Sequence, residues 1–397
     1  HPVAGLAILA VVMFLIFQAV FSWAEPMMGG IESLTAMLGE AITATLPAGL
    51  LQSLLVDGVI AGVGGVIVFL PQILILFLFI LALEESGYLP RAAFLLDRFM
   101  VGAGLTGRSF IPLLSSFACA IPGIMATRTI QDPRDRIATI LVAPLMTCSA
   151  RLPIYALLIG AFIPAQTVWS VFNLQGLVLF SLYVFGIVSA LLVAYAMKWW
   201  RKDKTEHTLM LELPSYRLPN PRDLALGLWE RAAIFIRRVG GIILALTVIL
   251  WVLATFPAPP AGAIGPAIDY SFAGRIGHFM EPLFAPIGFN WQICIALIPG
   301  LAAREVAVSA LATVYAISAA SDEAATELLS PIISAQWGLP TALSLLAWYV
   351  FAPQCLSTLA TIRRETDWRI TAIATGYLFG LAYAASFITY RIAVALA

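Results

Sequence analysis

Charge is what this sequence has least of. Lys, Arg, Asp and Glu make up 11% of its 397 residues, against 61% hydrophobic residues, whereas soluble domains carry about 25% charged residues. That excludes an ordinary soluble domain and leaves an integral membrane protein in contact with lipid. The charges cancel to a net of zero, which removes the basic surface that binding to nucleic acid requires, so no nucleic acid is expected. Catalytic signatures are missing too. There is no GxxxxGK[ST], hence no P-loop and no GTP site in this chain. There is no GxSxG, HExxH or CxxC either, and the apolar runs hold no Ser/His or paired-Asp arrangement for an intramembrane protease. A transporter fits better than an enzyme. Cysteine is scarce: Cys119, Cys148, Cys294 and Cys355 are all there are, each within or beside an apolar run. That is a poor layout for disulfides. His1, His207 and His278 show no ligand spacing. The opening HPVAGLAILA has neither Met nor a basic signal region, so a processing boundary with more chain upstream is expected.

What is abundant is apolar length. A helix crossing ~30 Å of hydrocarbon needs ~20 apolar residues. Val3–Trp23, Gly58–Leu83, Ile137–Phe162, Gln175–Met197, Val239–Phe256, Pro340–Ile362 and Ile370–Tyr390 answer that description. Charge orients them. Glu25–Asp57 holds four acidic residues and no basic one, and reads as an outer loop. Lys198–Arg238 holds nine of the 22 basic residues and reads as cytoplasmic. Ala319–Gly338 is acidic and faces outward, and the last span then leaves the C-terminus outside. Five segments follow: 1–90, the first helices with their outer loop; 91–163, a first repeat; 164–256, connecting helices with the basic loop 198–238; 257–369, a second repeat; and 370–397, the last helix.

The stretch with the most chemistry is Ser109–Pro153, two apolar segments broken by Pro and Gly. Arginines flank its first half on both sides: Arg108 before, then Arg128, Arg134 and Arg136 after. Either Phe94–Thr129 dips into the membrane and returns as a re-entrant hairpin, or one flank crosses with its arginines; the hairpin is the expectation. Irregular backbone at membrane depth survives only where protein shields it or it lines a wet cavity. A second broken segment, Glu281–Ser318, echoes the first. IPGIMATR (121–128) reads against IPGLAARE (298–305), and APLMTCSARLP (143–153) against APQCLSTLATI (352–362). The charge argument turns the copies upside down relative to one another, as in secondary transporters with broken helices meeting at the midplane. The fold class is therefore an all-α polytopic membrane protein. It has two inverted repeats, each with a re-entrant hairpin and a discontinuous helix.

Cys119, Cys148 and Cys355 sit at the breaks. One buried Cys is ordinarily just a small hydrophobe; three at matching breaks are a ligand set. Thiolates, the thioethers of Met125 and Met146, and hydroxyls or carbonyls freed by Pro144 and Pro353 suit a borderline-soft divalent metal such as Fe(II). They suit Mg²⁺ or Ca²⁺ poorly, since those prefer an all-oxygen shell. Glu305 is a carboxylate in an apolar stretch: a cation ligand, a proton relay, or the partner of Arg304 or Arg151. Arg151 is expected to anchor freed carbonyls. Glu84, Glu85 and Asp97 are expected to be solvated or to cap helices.

These residues have a family likeness. LEESGYLPRAAFLLDRFM, GLTGRSFIPLLSSFACAIPGIMATRTI, DRIATILVAPLMTCSARLPIYALL and APQCLSTLATIRRET resemble the membrane domain of the ferrous-iron transport protein B (FeoB) family, nearly end to end. The resemblance implies two gate repeats, Fe(II) as the transported substrate and a place in the bacterial cytoplasmic (inner) membrane. It also implies a GTPase domain in cis or trans, lacking in this stretch, and small cytoplasmic accessory Feo proteins as partners. Carried over, the first gate cysteine falls on Cys119 and the second motif on Met146–Pro153 with Cys148. The third falls on Cys355, Ser357 and Thr358. Many members have Gly-Cys-Asn where this chain has Ala118-Cys119-Ala120, which removes one oxygen ligand or one hydrogen bond. The expected metal set is Cys119, Cys148, Cys355, Met146, Ser149, Glu305 and Thr358. Two alternatives stand beside it: a gate-fold transporter of an organic solute such as a nucleoside, and a non-transporting membrane scaffold. A path built by a homo-oligomer is an alternative to one built by a single chain.

Overall fold

The computed structural model describes residues 5, 7–8, 11–12, 14–15, 18–19, 22–117, 119–164, 166–168, 172–201, 215–258, 267–302, 304, 306–315, 322–353 and 355–396. Almost all of these are helical, as the apolar runs require. Backbone polar groups in lipid must be satisfied within their own segment. The chain forms two compact units, His1–Leu46 with Ile60–Met146 and Val188–Ile242, and Pro47–Val59 with Thr147–Ile187 and Ile243–Ala397. The cut after Met146 falls inside the segment 91–163 that the sequence suggests as a first repeat.

The first unit opens with α1 (Ala24–Thr45). The sequence reading makes this region an outer loop on its acidic charge. It is a helix, on which Glu25, Glu32 and Glu40, at seven- and eight-residue spacing, fall along one side. Next comes the long α2 (Leu50–Glu85), which includes a π-helical stretch, Leu54–Ile60. Thr35 of α1 lies against Gly64 of α2, where an added Cβ would meet Thr35 Cγ2 at 2.9 Å. α3 (Tyr88–Gly102) follows and ends in a tight turn with Gly104 at φ 85°. Asp97 Oδ1 accepts from Gly107 N at 2.8 Å across that turn, and Lys198 Nζ donates to Val101 O at 3.1 Å. α4 (Phe110–Ser116) and α5 (Ala120–Ala126) are each only 7 residues, too short to cross a bilayer at 1.5 Å per residue. They pack directly on one another. α6 (Pro133–Val142) starts cleanly, with Pro at its first position and Asp132 accepting from Arg134 N at 2.7 Å.

In the second unit α7 (Leu152–Phe162) is followed by a small ribbon, β1 (Thr167–Val168) antiparallel to β2 (Phe172–Asn173). α8 (Leu174–Arg201) returns and runs on into the first unit. There the segment before α9 (Pro221–Phe235) is tied down. Tyr216 lies under the Arg91 guanidinium at 3.8 Å, Arg217 N donates to Ser86 O at 3.4 Å, and Asn220 N donates to Glu85 Oε2 at 2.9 Å. Glu85 and Asp97 thus do the capping work expected of them. α10 (Gly241–Thr255) follows a second π-helical stretch, Ile236–Gly240.

The rest of the second unit is α11 (Phe272–Phe284), α12 (Trp291–Ala302), α13 (Val306–Val314), α14 (Asp322–Gln336), α15 (Leu339–Phe351), α16 (Leu356–Glu365) and α17 (Trp368–Leu396). α11 and α12 meet at 102° through Gly288, whose φ of 82° is open to glycine and strained for other residues. The ring of Tyr390 occupies the space its side chain would need. α14 lies where an acidic outer loop is expected. Asp322 is its first residue. α15 and α17 are joined by a reciprocal serine pair. Ser386 Oγ donates to Ser344 O at 2.9 Å, and Ser344 Oγ is shared between Ser386 O at 3.2 Å and Ile287 O at 2.7 Å, all buried. Among the described residues, four helices are long and apolar enough to cross a membrane: Leu50–Glu85, Leu174–Trp199, Leu339–Glu365 and Trp368–Leu396. The bent α11–α12 pair would make a fifth.

Candidate functional site

Three of the four cysteines sit where a helix is interrupted. Cys119 has extended backbone (φ −153°, ψ 131°) and stands at the N-cap of α5, and Cys355 is extended in the same way (φ −164°, ψ 161°) at the N-cap of α16. Cys148 lies between the turn that ends at Leu145 and the 3₁₀ turn Ser149–Arg151 that opens α7. The fourth, Cys294, is buried within α12 and holds no break, as expected. No cysteine forms a disulfide.

The first unit contributes Cys119 and Met146. Cys119 is half-buried, and its N–H donates to Ser115 O at 3.1 Å. The α4–α5 hairpin around it is drawn tight by small residues. Ser116 Oγ donates to Pro112 O at 2.8 Å, and Gly123 faces both. Met146 is buried, extended (φ −63°, ψ 132°) and at the end of its unit.

The second unit contributes the rest. At the Pro353 break Cys355 Sγ lies 3.2 Å from Thr358 Oγ1, a thiol and a hydroxyl side by side at the head of α16. Thr358 is buried, as is Ser357, whose Oγ has no hydrogen-bond partner among the described residues. The carbonyls that the sequence reading offers to a metal at this break are already engaged. Arg304 Nη1 donates to Tyr349 O at 2.6 Å, while Arg304 Nη2 donates to Pro353 O at 2.9 Å and also to Ala352 O. Arg304, which comes from the break between α12 and α13, thus anchors carbonyls in the way expected of Arg151. Arg151 Nη1 donates to Thr147 Oγ1 at 3.4 Å. Both guanidinium groups are buried, at 0% and 2% exposure, and each feels the other's charge. Tyr155 on α7 and Tyr183 on α8 sit in the same electrostatic neighbourhood as Cys148. The arginine ties and the tyrosines escape sequence reasoning, since nothing in spacing sets a buried Tyr apart from core.

Ser149 contributes backbone to its turn, and its side chain lies outside what is described; Glu305 lies outside the described residues altogether. Among the described residues no group of three His, Cys, Asp or Glu side chains could hold a metal ion.

The two repeats match in places that letters alone do not reveal. Ala143-Pro144 and Ala352-Pro353 each follow directly on a helix end, as paired. The two Ile-Pro-Gly segments lie on opposite sides of a break. The first lies inside α5, after its break; the second lies in α12, before its break.

The chain matches the family described as Gate, nucleoside recognition, over residues 66–162 and 236–369, more than half its length. It matches the ferrous iron transport protein B C terminus over residues 179–231. It is similar to the Fe(2+) transporter FeoB of Leptospira interrogans, at 41% identity over 99% of this chain and 58% of that protein. To that of Leptospira biflexa it is 42% identical over 99% and 58%. It is 38% identical to a Fe(2+) transport protein A/Fe(2+) transporter FeoB fusion protein of Porphyromonas gingivalis, over 99% of this chain and 50% of that protein. The chain thus spans little more than half the length of the curated relatives it matches. No solved structure is matched.

Proposed function

The chain belongs to the ferrous-iron transport protein B family, and from that premise we propose that it carries Fe(II) inward across the bacterial cytoplasmic membrane. The observation that carries the proposal is the pair of extended cysteines. Cys119 and Cys355 stand alike at the head of a short helix after a break, Cys355 with Thr358 Oγ1 beside its sulfur. Thiolate sulfur with one or two oxygens suits Fe(II) better than a hard cation. Cys148, Met146, Ser149 and Glu305 complete the proposed donors. A path must bind the ion strongly enough to strip water and weakly enough to release it, and a few soft ligands strung along a route meet both demands. In this proposal a GTPase domain, in cis or trans, biases the gate by favouring one of two conformations. A small accessory Feo protein is a further partner, consistent with the naming of the fused relative.

A second reading has support in the wording "nucleoside recognition" and in the tyrosines near Cys148. It assigns the site to an organic solute. One experiment separates the two: flux of Fe(II), Zn(II) and Mn(II) into liposomes bearing the chain, with and without excess nucleoside. Fe(II) entry that nucleoside leaves unchanged and that Cys119→Ala and Cys148→Ala abolish supports the metal path. Entry that both variants preserve rejects it, and leaves a scaffold or a solute carrier.

A further inference from the structure

Where α15 ends, its last carbonyls have no helical donor to receive. Carbonyls freed in this way at a broken membrane helix are the usual means of holding a hard cation. In this protein Tyr349 O, Ala352 O and Pro353 O all accept from one side chain, Arg304, whose guanidinium is 2% exposed. The planar fork suits the task, since its donors diverge at fixed angles and meet several acceptors at once. Beyond these carbonyls the break presents Cys355 Sγ and Thr358 Oγ1, 3.2 Å apart.

We infer that Arg304 is a specificity-determining residue: it fills the oxygen side of the Cys355 break and so excludes hard cations such as Ca²⁺, leaving a sulfur-led donor set. The discrimination lies in ligand number and softness, since a guanidinium repels every dication alike. A Ca²⁺ ion seeks six to eight oxygens, and here it would find three carbonyls already taken. A softer ion can be held by the Cys355 thiolate and needs fewer oxygens. The inference rests on the transport reading above.

The test reconstitutes the chain in liposomes and measures Fe(II) and Ca(II) entry side by side for the parent, Arg304→Lys and Arg304→Gln. The same proteins in detergent are titrated with Ca(II) by calorimetry and with Co(II), followed by sulfur-to-cobalt charge-transfer absorption. Arg304→Gln is expected to raise the Ca(II)-to-Fe(II) entry ratio about tenfold, the scale set by losing charge-assisted hydrogen bonds. Arg304→Lys raises it less, because an ammonium covers some of the three carbonyls but does not span them all. Ca(II) binding appears in the variants while the cobalt–sulfur band persists. A ratio that stays put, whether both fluxes fall together or neither changes, makes Arg304 a structural tie and overturns the inference. If the parent itself moves no Fe(II), the transport reading fails. The titrations then decide for Arg304 alone: new Ca(II) binding upholds it and none overturns it. Arg304→Lys, which keeps a buried cation, serves if Arg304→Gln does not fold.

Discussion

The α4–α5 hairpin holds its shape by a contact that only glycine permits. An alanine at Gly123 would put its Cβ 2.6 Å from Pro112 O and in collision with Ser116 Oγ, where real Cβ atoms essentially never come within 3.0 Å. Ser116 could rotate away only by giving up its 2.8 Å bond to Pro112 O, and the carbonyl is backbone, so the helices themselves must separate. Overpacking of this kind costs about 1–3 kcal/mol, and a lost buried hydrogen bond adds about 1 kcal/mol. The sum, about 2–4 kcal/mol, corresponds to a fall of roughly 5–15 °C in melting temperature for a unit of this size. The assay is thermal unfolding in detergent of Gly123→Ala beside Gly160→Ala. The control glycine lies in α7 with open space where its Cβ would stand, and alanine there is expected to leave the melt unchanged or raise it slightly. If the two variants melt together, the close approach of α4 and α5 is not what holds the hairpin.

The serine pair between α15 and α17 gives a second outcome. Ser344→Ala removes the donor to Ile287 O and is expected to cost about 1–2 kcal/mol. The Ser344→Ala/Ser386→Ala double variant should cost less than the sum of the singles, and strict additivity in denaturation would show that the two hydroxyls act separately. Thiol reactivity gives a third. In detergent a maleimide should label half-buried Cys119 and Cys355 well before buried Cys148 and Cys294, as mass spectrometry of timed digests would report. Equal rates at Cys294 and Cys355 would contradict the burial assigned to them.

The apolar runs made the helical class legible, because lipid leaves the backbone no alternative. The cysteines' place at breaks could be read from the prolines beside them. Acidic charge at Glu25–Glu40 and at Asp322–Glu323 carried no sign that these segments are helical. A count of like charges looks the same in a loop as on one helix face or at a helix start, and only spacing separates them. The Ile-Pro-Gly match has a related limit: three letters common in apolar sequence carry no information about which side of a bend they occupy. Arg304 could not be told from Arg151 in advance. Each precedes or follows a proline-rich break in the sequence, and the carbonyls that Arg304 reaches lie 45 to 49 residues away.

The stretch leading into α9 is moored to the end of α2 largely by main-chain donors, the N–H groups of Arg217 and Asn220. Such a mooring is indifferent to what side chain stands at 217, and Leu218 between the two points is 96% exposed. Positions 217 and 218 are therefore free to change their side chains while the strip keeps its course, and at 217 proline alone would cast off the line.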